Sequence, residues 1–357
     1  EAKFSDGTVI TGKKVAQALQ RIISTESYYK EHFLNLKKVH APNDLTVILQ
    51  LRKKDSKILF LLASVPALIT SINENGKFVF SGPFEINQIG KNSLSLKRRN
   101  NYYGPMPQTE FINFHVGDYS KAKQLINANQ IDDTIMLASP NQSIYSEQGV
   151  WNSLNIWATW AIGFDLRNKK ASDLQLRTQL AKALTSNSFI KNVFPSQQIA
   201  YGLIPIGMHG NLENEIKINN LKKFKQKELL EIYIPNEIAN YEEISEWITK
   251  NATKLNIKVN IIKKPFSQMI EALGTGKMPS FLLSFNAEYP SPYFYLNSLT
   301  AKNRSNFFGL QLKKLEFIEE KDITSQSSQE LSTMMKKINV YLTQNGIVIP
   351  LMHVKHH

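Results

Sequence analysis

The chain has 357 residues, 42% of them hydrophobic, a net charge of +13 and no cysteine. That length buries a sizeable core and leaves room for two or three domains, while the absence of cysteine excludes disulfides, thiolate metal sites and cysteine nucleophiles and suits an oxidising compartment. The lysines come in short clusters such as Lys53–Lys54, Lys222–Lys223 and Lys313–Lys314, with acids between them and no binding motif alongside, so nucleic acid is not an expected partner.

In chain order, a turn at Ser5-Asp6-Gly7-Thr8 leads into a helix capped by Thr11, with Val15, Leu19, Ile22 and Ile23 on one face. Leu45, Val47, Leu49 and Leu51 alternate as a half-buried strand does. The longest apolar stretch, Ile58 to Ile72, is interrupted by Ser64 and Pro66 and falls short of the roughly 20 residues that cross a bilayer. The sequence opens at Glu1 without an apolar leader, so any targeting peptide is expected to have been removed or left out. Lys77–Phe80 and Ser93–Lys97 read as strands separated by Gly82-Pro83. Phe111–Val116, a helix starting near Asp118 with Ala122, Leu125 and Ile126 inward, and Thr134–Leu137 form a small β-α-β unit, followed by a polar loop from Ser139 to Gln148. Trp157–Leu166 is strand-like and is expected to connect two lobes; Asp173–Leu184 reads as a helix capped by Ser172, with Leu176, Leu180, Ala183 and Leu184 inward.

The clearest alternation runs through Leu230–Ile234, Ile244–Leu255, Lys258–Lys263, Ser267–Leu273 and Ser280–Phe285. Strand, helix, strand, helix, strand predicts a parallel sheet with helices on its faces. Ligands of open α/β sheets bind beyond the carboxyl ends of the strands, which makes Asn286-Ala287-Glu288-Tyr289-Pro290 a candidate site on topology alone.

Other chemistry is excluded by spacing. Gly274-Thr275-Gly276-Lys277 fails as a phosphate loop, because the leading glycine is Glu271 and the lysine is followed by Met278; it reads as a helix end in which Gly274 or Gly276 supplies positive φ. The seven histidines have no zinc-ligand spacing, and His356-His357 is compatible with a purification tag. No serine sits in a nucleophile elbow and no dinucleotide-binding glycine pattern follows a strand. Neither catalysis, metal nor cofactor is expected. The sequons at Asn141, Asn251 and Asn303 are what chance gives in an Asn-rich chain.

Short segments in order along the chain resemble those of the bacterial extracellular solute-binding proteins of family 5, which serve peptide, dipeptide and nickel importers. Phe4-Ser5-Asp6-Gly7-Thr8 with Thr11 and Val15 is similar to F-x-D-G-T-x-x-T-x-x-D-V, with Lys14 in place of the acid. Ser81-Gly82-Pro83-Phe84 and Leu96 to Tyr103 resemble G-T-G-P-Y/F and L-x-R-N-P-D-Y-W, with Asn100 in place of the proline. Leu176 to Leu184 resembles the V-R-x-A-L-x-x-A-I helix, and Ile204-Pro205-Ile206-Gly207-Met208 the P-x-G-M turn after it. Ala287-Glu288-Tyr289-Pro290-Ser291-Pro292 is similar to A-D-Y-P-D-P and is followed by Asn306-Phe307-Phe308-Gly309.

The resemblance implies an α/β, bilobal fold of the periplasmic-binding-protein type (type II, cluster C-like), two α/β lobes joined by a hinge. It divides the chain into 1–75 (first-lobe subdomain), 76–160 (remainder of the first lobe), 161–345 (second lobe) and 346–357 (return to the first lobe). The family has additional sequence before the Phe4 segment, with strands of the first lobe, which is not seen here. The implied function is the substrate-binding component of an ABC importer, a monomer in the periplasm or cell envelope. It captures short peptides between its lobes and hands them to a membrane permease, touching the membrane only through that transporter or a lipid anchor. The same fold binding a sugar, haem or metal chelate, or serving as a sensory domain, is the alternative. In peptide-binding members the acid of A-D-Y pairs with the peptide α-amino group; Glu288 holds that position, one methylene longer. Phe285, Asn286, Ala287, Tyr289 and Tyr293 complete the implied ligand set, Phe285 either packing on ligand or filling core, and the main chain around Ser284–Ala287 pairing with an extended peptide.

Overall fold

A computed structural model describes the chain except residues 26–27, 56, 118, 134–153, 219–223, 225–227, 239, 290, 293, 296–298, 300–305, 312–314, 316–327 and 357. The chain folds into two compact units, Glu1–Thr134 and Ile135–His357.

In the first unit the Thr11 hydroxyl accepts from Lys14 N and starts α1 (Gly12–Ser24). The helix buries Ala16, Leu19 and Ile22, while Val15 and Ile23 are half-buried. This face packs on an antiparallel hairpin of β1 (Leu36–Asn43) and β2 (Thr46–Leu51). Gly12 is demanded by that contact, since a Cβ there would lie 2.6 Å from Asn43 O. The apolar stretch from Ile58 becomes α2 (Ile58–Leu62), a 3-10 turn at Val65–Ala67 and β3 (Thr70–Ile72), which pairs with β4 (Phe78–Phe80). No described helix is long and apolar enough to cross a membrane. β5 (Phe84–Ile89), β6 (Ser93–Arg98) and β7 (Phe111–His115) form an antiparallel sheet, and α3 (Tyr119–Asn127) follows. The expected strand Thr134–Leu137 and the loop after it lie outside the described residues.

Three of the recognised segments of this unit meet at Arg99, which is 2% exposed. Its guanidinium donates to Lys3 O, Phe4 O, Phe80 O and Gly82 O at 2.7–3.2 Å, and Nε donates to Asn101 Oδ1. The Asp6 carboxylate accepts from Thr8 N and Thr8 Oγ1, closing the turn in which Gly7 takes φ +85.

The second unit is built on a five-stranded sheet ordered β10-β9-β11-β8-β12. β9 (Glu228–Pro235), β10 (Ile257–Lys264) and β11 (Ser280–Asn286) are parallel, as the alternation predicts, with α6 (Tyr241–Thr253) and α7 (Phe266–Ala272) between them. Gly274 and Gly276 both take positive φ after α7. β8 (Leu154–Phe164) and β12 (Val348–His356) join antiparallel. The expected connection at Trp157–Leu166 and the expected return at 346–357 thus fall largely on neighbouring strands of this sheet.

One face of the sheet presents Ala158, Trp160, Ile162, Phe164, Ile232 and Leu282 to the apolar sides of α4 (Leu174–Ala183), α5 (Ser186–Asn192) and α6. The cap of α4 is Asp173, not Ser172: its carboxylate accepts from Leu176 N, while the Ser172 hydroxyl donates to Lys169 O. Arg177 on α4 is buried and donates to Ala171 O and Asn345 O. It thereby ties α4 to the turn between α8 (Ser328–Gln344) and β12. On the other face Phe308 lies against Phe281 and stacks on Phe285, with ring centroids 6.0 and 5.7 Å apart. Gly163 leaves room for these rings, because a Cβ would meet Phe281 and Phe308 at 2.7–2.8 Å.

Candidate functional site

The candidate residues gather where β11 runs out. Antiparallel pairing alternates residues whose main chain faces the partner strand with residues whose main chain faces away. Ala287 N donates to Trp157 O at 2.7 Å, and Phe285 is in register with Thr159. Odd-numbered residues of β11 therefore turn their N–H and C=O groups to β8. Ser284 and Asn286 direct theirs to the opposite edge, where β9 meets β11 at one register position, Phe281↔Tyr233. No described strand pairs with Ser284 or Asn286 on that edge. Both side chains are exposed, and the Ser284 hydroxyl donates to the Asn286 carboxamide oxygen.

Glu288 lies two residues beyond the strand and is exposed. Ala287 is half-buried. The rings of Phe285 and Tyr289 are 5% and 3% exposed, the first stacked on Phe308 and the second edge-on to Phe294 at 6.0 Å. Both rings pack in the interior of the unit, and for Phe285 this is the core-filling alternative. Phe285 shares its face of β11 with Phe281 and Leu283, the face that packs on Phe308. Tyr293 lies outside the described residues.

Sequence reasoning missed the group that fixes this end of the strand. Tyr295 is 1% exposed, and its hydroxyl donates to Phe285 O at 3.0 Å and Trp157 O at 3.2 Å, clamping β11 to β8. Burial pushes the phenol well above its ordinary pKa, so it stays a donor. The only signal in the sequence is a tyrosine inside the apolar run Tyr293–Leu296, where a buried hydroxyl needs a partner. A second row crosses the sheet at the same level. Thr159, paired with Phe285 on one side, hydrogen-bonds His353 Nδ1 at 2.8 Å on the other, and burial pushes that imidazole down to about 4. The recognised segment at Asn306 is also architectural, its carboxamide bonding Leu310 N and Leu310 O. Arg167, itself paired with Asp165, donates to Asn306 O. Among the described residues, no group of three His, Asp or Glu side chains is arranged to hold a metal.

Across its whole length the chain superposes on periplasmic binding proteins. The structure of AgaA from A. tumefaciens R10 in complex with agropinic acid has a TM-score of 0.82 at 15% identity, covering 100% of this chain and 79% of that one. The Escherichia coli murein tripeptide binding protein MppA has a TM-score of 0.80 at 14% identity, covering 99% and 80%. The fold is therefore the α/β fold of the cluster C binding proteins. Residues 1–307 match the profile of the bacterial extracellular solute-binding proteins, family 5 middle, and the chain belongs to that family, one of solute-binding proteins and not of enzymes. The probable D,D-dipeptide-binding periplasmic protein DdpA of Escherichia coli is 22% identical over 324 residues. That match covers 83% of this chain, which spans 63% of the length of that curated relative.

Proposed function

We propose that this chain is the solute-binding component of an ABC importer, working outside the cytoplasm with a membrane permease as its partner, and that its solute is a short peptide. The observation that carries this reading is the main-chain edge of Ser284 and Asn286, which runs past the end of β9 with the Glu288 carboxylate just beyond it. An extended peptide added to that edge gains main-chain hydrogen bonds whatever its side chains are, which gives affinity with broad specificity. Glu288 then receives the α-ammonium, since an ammonium taken out of water is costly without a carboxylate partner. Asn286 and Ala287 supply polar and small flanks, and the Phe285 ring holds the strand from beneath while its main chain stays on β8. DdpA and MppA, one named for dipeptides and the other for a murein tripeptide, support the peptide class.

A second reading, an opine-like solute, is favoured by AgaA and its agropinic acid; such a molecule also offers polar groups to a main-chain edge. The two are separated by a thermal-shift assay with a pool of short peptides run beside the same pool after N-acetylation. Ligand that binds only the folded state raises Tm. Stabilisation by the free-amino pool alone supports peptide capture through Glu288, and no shift with either pool removes the peptide reading.

A further inference from the structure

At the far side of the same sheet, two strands away from the candidate solute site, β10 has an open edge. Glu228 N donates to Asn256 O and Asn236 N to Lys264 O at the two ends of the β9–β10 pairing. A parallel ladder alternates, so even-numbered residues of β10 bond to β9. Ile257, Val259, Ile261 and Lys263 direct N–H and C=O outward, where no described strand pairs with them. Open edges are commonly blunted by a bulge, a proline or projecting charge. The register of β10 against β9 is unbroken over all eight residues, and Pro265 comes only after the strand. The Lys263 and Lys264 ammonium groups are drawn back over the rings of Tyr241 and Tyr233, at 4.1 and 5.7 Å.

Beside this edge runs a groove of about 590 Å³ lined by Ser245, Glu246, Thr249 and Lys250 of α6 and by Val259 and Ile261 of β10. The Ser245 hydroxyl in it is buried and makes no hydrogen bond among the described residues. β10 itself reads Ile-Lys-Val-Asn-Ile-Ile-Lys-Lys, three lysines and no acid. A second copy of this strand is the wrong occupant, because pairing it with itself brings lysine against lysine, and like charges directly opposite are destabilising. We propose that the β10 edge is a docking surface for an extended segment of a partner polypeptide that alternates acidic and aliphatic side chains. The partner's main chain bonds the outward groups of Val259, Ile261 and Lys263, its aliphatic side chains extend the surface of Val259 and Ile261 along the groove, and its acids, on the opposite face, meet Lys258 and Lys264.

The test uses a fluorescein-labelled octapeptide of alternating glutamate and valine, blocked at both ends so that it has no α-amino group for Glu288. Fluorescence anisotropy on the full chain is expected to rise saturably. Binding should weaken by about tenfold or more in Ile261→Pro, which removes an outward N–H while leaving the ladder to β9 intact, and equally in the double variant Lys258→Glu, Lys264→Glu. Glu288→Gln should bind this probe as the wild type does, whatever becomes of the solute reading. Should Ile261→Pro fail to fold by circular dichroism, the same octapeptide N-methylated at alternate amides gives the answer on the unaltered protein: it is expected not to bind. Absence of saturable binding, or equal binding by the N-methylated peptide or by an octapeptide of alternating lysine and valine, overturns the proposal.

Discussion

Replacing Arg99 with methionine keeps most of the side-chain volume and removes a guanidinium that serves five acceptors inside the first unit. Four of these are the main-chain carbonyls of Lys3, Phe4, Phe80 and Gly82, held at 2.7–3.2 Å by a residue 2% exposed. A carbonyl left buried without a donor costs about 1–3 kcal/mol. Phe4 O and Phe80 O also accept from Gly7 N and Ser5 N, so Lys3 O and Gly82 O are the two left bare, a loss of about 4 kcal/mol and a large part of the 5–15 kcal/mol that holds a typical domain together. Lysine in place of Arg99 keeps the charge but has no planar fork to reach carbonyls from separate segments, so it should recover less than half of the loss. All four tryptophans, at 151, 157, 160 and 247, fall in the second unit, which makes the assay specific. Urea unfolding followed by far-UV circular dichroism should show an early transition in Arg99→Met, while tryptophan fluorescence reports the second unit near its wild-type midpoint. A circular-dichroism profile within about 0.5 kcal/mol of wild type would refute the reasoning that these carbonyls depend on Arg99.

Acid should loosen both units. His32 and His353 are each lowered from 6.5 to about 4, His32 by burial and then by Lys57, His353 by burial. The unfolded chain therefore binds more protons than the folded one between those values, and stability is lost as pH falls from 6.5 towards 4; His353→Asn should flatten that slope in the tryptophan signal. Tyr295→Phe removes the hydroxyl that holds Phe285 O and Trp157 O, a loss of about 1–2 kcal/mol. It should also speed hydrogen exchange at Phe285 and Ala287, with unchanged exchange counting against Tyr295 as the clamp.

Much of the architecture is legible in local pattern, and much of the site is not, for one physical reason. The parallel succession of β9, α6, β10, α7 and β11 shows in the sequence because periodicity and turn residues are local properties. That β8 inserts antiparallel between β11 and β12 is a matter of partners more than 100 residues apart in sequence, from Ser280↔Phe164 to His356↔Leu154, and no periodicity encodes it. The consequence reaches the site directly. Which residues of the Ser284–Ala287 stretch have main chain turned away from β8 is decided by register, so Ser284 and Asn286 are picked out only once Ala287 is seen bonded to Trp157. The same register turns the Phe285 ring inward onto Phe308. The segments that identify the family hold the fold together: Asp6 closes a turn, Arg99 ties three segments, Arg177 ties α4 to the turn before β12 and Asn306 closes a loop on Leu310. They are recognisable in the sequence because each is a short run with a fixed local job, and for the same reason they say little about the solute.

The central claim, that a short peptide is captured at the end of β11 through Glu288, is tested most directly by titration calorimetry. One free-amino peptide from the stabilising pool is measured on the wild-type chain and on Glu288→Gln, beside its N-acetylated form on the wild type. The account predicts that removing the charge from either side weakens binding by about tenfold or more, with the fold of the variant unchanged. Equal affinity in all three titrations would contradict it.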